Sequence, residues 1–276
     1  MGQDLKAENL AISIPSVGCE KNCPYCISRM TGYLPANPDL QNWNLAKVLR
    51  VAEMAEVTSI LFTGKGEPVL NLPFLGNIMK QCSIWWPLEL QTNGIHLSKN
   101  FQDVDFLQSR GLNVLALSMD HADQFRDYIP LIRHANNLEL VVRITVNVTN
   151  RLDAKYSFAR LINYCSEHRV RQFTLRKIVA PEVPYNLETA KWIEMNAPIE
   201  LYDGLVAEAS QLMKSEGRLI RQLNNGVNIY DINDVSFSHS DYCIQEHSLG
   251  NNVRSLVFQE DGHLYTSWSS KASILF

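Results

Sequence analysis

Cys19-Glu20-Lys21-Asn22-Cys23-Pro24-Tyr25-Cys26 places three thiols in a C-x3-C-x2-C spacing, directly after the short apolar run Leu10 to Pro15. Thiolates bind iron–sulfur clusters, and a cubane with four irons takes four of them when fully ligated. Three clustered thiolates leave one iron without a protein ligand. A metal with an open position is reactive, by the logic that separates catalytic from structural zinc. Glu20 to Asn22 and Pro24-Tyr25 are turn-forming or bulky, which suits a loop wrapped around a cluster better than a helix or strand. Two other readings stand beside this one. A zinc knuckle needs a fourth Cys or His nearby, and none lies between Cys26 and Cys82. A disulfide strands one of the three.

The remaining cysteines, at 82, 165 and 243, are scattered singles rather than a disulfide framework, so a reducing, cytoplasmic setting is expected. The chain has 276 residues, enough for one large α/β domain or one with a small extension. Apolar residues make up 46% and charged residues 20%, an ordinary globular balance. A net charge of −4 gives no footprint for non-specific nucleic-acid binding. No 18-residue apolar span marks a membrane helix, and the polar start Met1 to Lys6 lacks a signal-peptide core.

Outward from the cysteine loop, strands and helices alternate. Strands are expected at Leu10–Pro15, Val57–Thr63, Leu88–Gln91, Val114–Ser118, Leu138–Val148 and Gln172–Val179. Helices fall between them: one capped by Asn44, then Pro73–Gln81, Lys99–Arg110, Ala122–Ala135 and Ala154–His168. Pro130 should kink or split the fourth of these. Six such units argue for a parallel sheet with right-handed crossovers, curling toward a barrel. After Pro181 the alternation stops. Two helical stretches come next, Thr189–Met195 and Leu205–Ser215, then β-type runs at Val227–Tyr230, Ser255–Phe258 and His263–Ser267. Gln259 to Gly262 reads as the hairpin turn between the last two.

The cysteine spacing, with aromatic Tyr25 before the last Cys, resembles the signature of radical S-adenosylmethionine (radical SAM) enzymes. The resemblance implies one [4Fe–4S] cluster on Cys19, Cys23 and Cys26, whose open iron chelates the amino and carboxylate groups of S-adenosylmethionine. One electron, from a donor such as flavodoxin or ferredoxin, then breaks a carbon–sulfur bond and releases a 5'-deoxyadenosyl radical. The fold implied is an α/β partial (β/α)6 TIM-like barrel over residues 8–180, with a C-terminal α+β extension, 181–276, closing its open side and shaping a substrate pocket. Family members with auxiliary clusters carry several cysteines in that extension. This one has only Cys243, so a single cluster is expected.

Barrel chemistry gathers at the C-terminal ends of strands, and candidate residues stand there. Thr63-Gly64-Lys65-Gly66-Glu67-Pro68 resembles the family's Gly-Gly-Glu motif, with Lys65 a departure that separates the glycines. Gly64 and Gly66 allow close backbone approach, and Glu67 is a carboxylate able to accept from an ammonium group. A plain β–α turn is the alternative. Thr92 and Asn93 of Gln91-Thr92-Asn93-Gly94 suit the cofactor's carboxylate, although Asn-Gly is also a common turn. Ser118 ends the fourth strand, while Asp120 suits either the cofactor or a helix cap. Arg143 and Asn147 share one strand face. Arg143 suits a carboxylate ligand or an internal salt bridge. On the sixth strand, alternation lets only one of Arg176 and Lys177 point inward. With the cysteine trio and Gly64 to Glu67, the cofactor residues expected by resemblance are Tyr25, Thr92, Asn93, Ser118, Arg143 and Asn147. Cys243 reads as a small buried hydrophobe or as a hydrogen-atom donor near substrate.

The function implied is a radical SAM enzyme acting on a small-molecule, nucleotide-like substrate. An activating enzyme taking hydrogen from a glycine of a partner protein is the second reading. A non-enzymatic zinc- or cluster-binding scaffold is the third.

Overall fold

The computed structural model describes residues 5–32, 34–121, 123–152, 156–223, 226–240 and 252–276. Cys243, with the neighbouring Asp241, Tyr242 and His247, lies outside them. The first six strands are β1 (Lys6–Ile14), β2 (Ser59–Gly64), β3 (Leu88–Thr92), β4 (Leu112–Met119), β5 (Val141–Val148) and β6 (Gln172–Lys177). The helices between them are α1 (Ile27–Thr31), α2 (Pro38–Met54), α3 (Leu72–Cys82), α4 (Phe101–Ser109), α5 (Gln124–Asn137) and α6 (Phe158–Glu167). The rest of the chain forms α7 (Leu187–Asn196), α8 (Ile199–Ser215), β7 (Arg218–Gln222), β8 (Asn228–Ile232), β9 (Val235–Ser240), β10 (Asn252–Phe258) and β11 (Leu264–Tyr265).

The eleven strands among the described residues belong to one sheet, in the order β11-β10-β1-β2-β3-β4-β5-β6-β9-β8-β7. The neighbours from β10 through β1–β6 to β9 are all parallel. The C-terminal segment therefore lengthens the parallel sheet at both edges. β10 lies against β1 and β9 against β6, with antiparallel β11 and β8–β7 beyond them. β7 and β9 were not foreseen from the sequence.

Alternation along each strand divides the residues into two sets. Leu10, Ile12, Ile60, Phe62, Leu115, Ile144 and Phe173 are buried in the main core with helix residues such as Leu45, Val48 and Leu75. The intervening side chains face the other side of the sheet. The register carries a row across it there: Ser118 beside Thr145 beside Thr174. A sheet with one apolar and one polar face leaves a hydrophilic lumen under the loops at the strand ends.

Three expectations change. α2 begins at Pro38, where Asn37 Oδ1 accepts from Leu40 N at 3.1 Å, a capped start with Pro in the first turn. Asn44 lies inside that helix and donates to the Gly262 carbonyl at 2.7 Å. α5 runs unbroken through Pro130. β5 starts at Val141 because Glu139 adopts a φ of 60° that stops an extended run at Leu138.

Candidate active site

The loop from Pro15 to Cys26 is held at the C-terminal end of the sheet from three sides. Beneath it, Glu67 N donates to the Gly18 carbonyl at 2.9 Å. The approach is so close that a Cβ on Gly66 would run into Ser16 Oγ and the Gly18 carbonyl. On the β4 side, Lys21 Nζ reaches Asp120 Oδ1 at 3.0 Å and the Ser118 carbonyl at 3.3 Å. Arg151 bonds the other Asp120 oxygen at 2.9 Å. The Asp120 side chain is 1% exposed. Burial alone would raise its pKa, but Lys21, helped by Arg151, holds it below the ordinary value. On the β10 side, Ser16 N donates to Glu260 Oε2 at 3.3 Å, across 244 residues of sequence. Within the loop, the Cys26 carbonyl accepts from Arg29 N and Met30 N, so α1 begins directly after the last cysteine.

These contacts set Cys19, Cys23 and Cys26 in the lining of one cavity of about 410 Å3, open at the strand ends and running into the polar lumen. Gly64, Lys65, Gly66, Glu67, Thr92, Asn93, Ser118 and Asn147 line it too, as do Tyr25, Arg176, Arg254 and Trp268. Asn93 Nδ2 donates to Cys19 Sγ at 3.6 Å. Burial pushes the Cys23 thiol up to about 11. Tyr25 is 6% exposed, and burial raises its phenol too, with Asp120 adding to the effect. Its ring lies 5.7 Å from that of Trp192 and packs with Met30, Ile178 and Ile193.

Some expected residues are placed otherwise. Arg143 is not in the cavity lining. It lies low on the lumen face, bonded to Glu89 Oε1 at 2.5 Å and Gln172 Oε1 at 2.8 Å, the internal salt bridge that a charged residue inside a strand calls for. Glu67 reaches the cavity, but its carboxylate is taken by backbone. Oε2 accepts from Asn93 N at 2.8 Å and Oε1 from Val69 N at 3.4 Å. It braces the β2 turn against the end of β3, and its burial raises its pKa. Asp120 makes the Lys21 and Arg151 contacts rather than capping α5, whose N-cap is Asp123. Of the pair on β6, Arg176 lines the cavity and Lys177 packs over the Tyr202 ring at 5.6 Å.

Sequence reasoning missed Lys21, Glu260 and Arg254. Lys21 sits inside the cysteine motif, where a lysine reads as a solvated loop residue. Glu260 reads only as part of the hairpin turn, yet it is 2% exposed. Cys82 and Cys165 are buried among apolar side chains. Among the described residues no group of three His, Cys, Asp or Glu converges on a single ion. A cubane does not ask for that, since each thiolate takes its own iron. The donor set fits such a cluster. Three thiols share one wall, and a glycine cradle lies under their loop.

A family model described as the Radical SAM superfamily matches residues 13–156, just over half the chain. A GTP 3',8-cyclase from Clostridium acetobutylicum is 30% identical over 104 residues, 37% of this chain and 31% of the cyclase. The alignment thus spans less than a third of that relative's length. Streptococcus suis SuiB bound to S-adenosylmethionine superposes with a TM-score of 0.62 at 17% identity, covering 95% of this chain and 60% of SuiB. SuiB bound to precursor peptide SuiA gives 0.58 at 16% identity, covering 96% and 60%. At those identities the likeness is one of fold. No helix among the described residues is long and apolar enough to cross a membrane.

Proposed function

Because this chain belongs to the radical SAM superfamily, and is therefore an enzyme, we propose that Cys19, Cys23 and Cys26 hold a single [4Fe–4S] cluster and that the adjoining cavity takes S-adenosylmethionine together with a small anionic, nucleotide-like substrate. The observation that carries the proposal is the shared cavity. All three thiols, the glycine turn and the polar ends of β3, β4 and β5 line one space of about 410 Å3, within the size range of small-ligand sites. When bound, the cluster supplies one electron that splits S-adenosylmethionine into methionine and a 5'-deoxyadenosyl radical.

The chain's own groups bind, orient and exclude water. Gly64 and Gly66 leave the backbone bare beside the cysteine loop. Asn93, fixed by its bond to Cys19 Sγ, joins Thr92, Ser118 and Asn147 as neutral polar contacts for the cofactor's amino-acid and ribose groups. Tyr25 and Trp268 form an apolar flank that keeps water from the reacting carbon. Arg176 and Arg254 give the lumen positive charge, which suits a phosphate or carboxylate on the substrate. Residues 181–276 supply Arg254, Ser255 and Trp268 to the lining, and so shape specificity. The relative's own reaction, on GTP, is consistent with a nucleotide.

Anaerobic protein with a strong reductant and S-adenosylmethionine tests this. Accumulation of 5'-deoxyadenosine should rise on adding nucleoside triphosphates but not peptides. Arg176→Ala should raise the KM for the stimulating compound by about 10- to 100-fold, the loss expected for a charged hydrogen bond. Stimulation by peptide alone would favour the activating-enzyme reading.

A further inference from the structure

Lys65 separates the two glycines of the turn after β2, and its side chain is buried beside the cysteine loop at 5% exposure. Both of its ends are latched to α1, the helix that starts after Cys26. Ser28 Oγ donates to the Lys65 carbonyl at 2.5 Å, and Lys65 Nζ donates to Thr31 Oγ1. Glu260 lies in the turn between β10 and β11, 2% exposed, with its carboxylate on Ser16 N. Among the described residues neither charge makes a contact ion pair. Burial pulls the Lys65 ammonium down to about 8, while Glu260 and Cys26 act to keep it charged. A buried cation without a contact counter-ion costs stability. Packing does not call for it, since a methionine fills much the same space.

We propose that Lys65 and Glu260 are an opposed pair of buried charges that sets the reduction potential of a cluster on Cys26 and its partners. Reduction would make a cluster held by those thiolates more negative by one charge. In a dry site a nearby ammonium favours that state and a nearby carboxylate opposes it. Net charge and hydrogen bonding around the sulfurs are the levers a protein has on such a potential. Lys65 comes from the β2 turn and lines the same cavity as the three thiols, while Glu260 comes from the β10–β11 turn and bonds Ser16 N, three residues before Cys19. The inference rests on the cluster assignment above.

The test is a redox titration monitored by electron paramagnetic resonance on anaerobically reconstituted wild type, Lys65→Met, Glu260→Gln and the double variant. The midpoint should fall in Lys65→Met, rise in Glu260→Gln, return toward wild type in the double variant, and hold in Lys65→Arg. A purely structural role gives no such opposite signs. Midpoints that stay put in both single variants, or move the same way, overturn the proposal. So does an unchanged midpoint in Lys65→Met with a raised KM for S-adenosylmethionine, which would make Lys65 a cofactor ligand. If Lys65→Met loads no iron, an unmoved midpoint in Glu260→Gln is decisive against it. A wild type without any cluster signal sinks the assignment beneath, and the two failures read apart.

Discussion

Among the described glycines, Gly66 leaves the least room for a Cβ. Its missing Cβ is what lets the β2 turn lie against Ser16 and Gly18. Gly66→Ala should cost about 1–3 kcal/mol, as overpacking does. Chemical denaturation of the iron-free protein measures that loss, and iron retained after reconstitution should fall with it. Asp120 is the other pivotal residue, joining Lys21 of the cysteine loop to Arg151. Its folded pKa lies below the ordinary value. Its contribution is therefore present above the unfolded carboxylate pKa, about 3.9, and is lost as pH falls through the lowered folded value. Asp120→Asn should destabilise by about 3 kcal/mol at neutral pH, the low end for breaking a buried pair, because Arg151 is partly exposed. The gap to wild type should close below pH 4. A gap that persists in acid would mean the carboxylate charge is not what matters. The cysteines and the glycine turn were legible because their spacing is local. Lys21 and Glu260 were not, because what buries them is the far side of the fold.

Single elements were read from periodicity, and their errors have local causes. The start of α2 was missed because Asn37-Pro38 looks like a loop until Pro is placed at the first helical position. The unbroken α5 shows tertiary packing overriding a breaker: Phe125, Tyr128, Leu131 and Ile132 are all buried on one face, while Pro130 is exposed on the other. The helix then bears the proline rather than needing it. Pro130→Ala restores one backbone donor and should raise stability by about 1–3 kcal/mol, read from the denaturation midpoint. A lower midpoint would show that Pro130 stabilises the fold where it stands. β7 went unforeseen because every residue of it is exposed, so it carries no period-two burial signal.

At the scale of the molecule, alternation announced the parallel sheet, but not that residues far apart in sequence would complete it. β10 pairs with β1, and β9 with β6, through contacts that no window of sequence contains. The division at residue 180 thus falls between parts of one sheet, which should unfold as a unit. Leu256, fully buried on β10, is placed to test that cooperativity. Leu256→Ala should lower the stability of the whole chain in one transition, by about 2–5 kcal/mol; two separate transitions would mean the C-terminal segment folds apart. The central claim is that three cysteines hold a cubane whose remaining iron takes S-adenosylmethionine. The most direct measurement is the electron paramagnetic resonance spectrum of the reduced, anaerobically reconstituted protein before and after adding S-adenosylmethionine, with iron assayed on the same sample. About four irons per chain and a spectrum that changes on addition are predicted. Zinc in place of iron, or a cluster spectrum indifferent to S-adenosylmethionine, would contradict it.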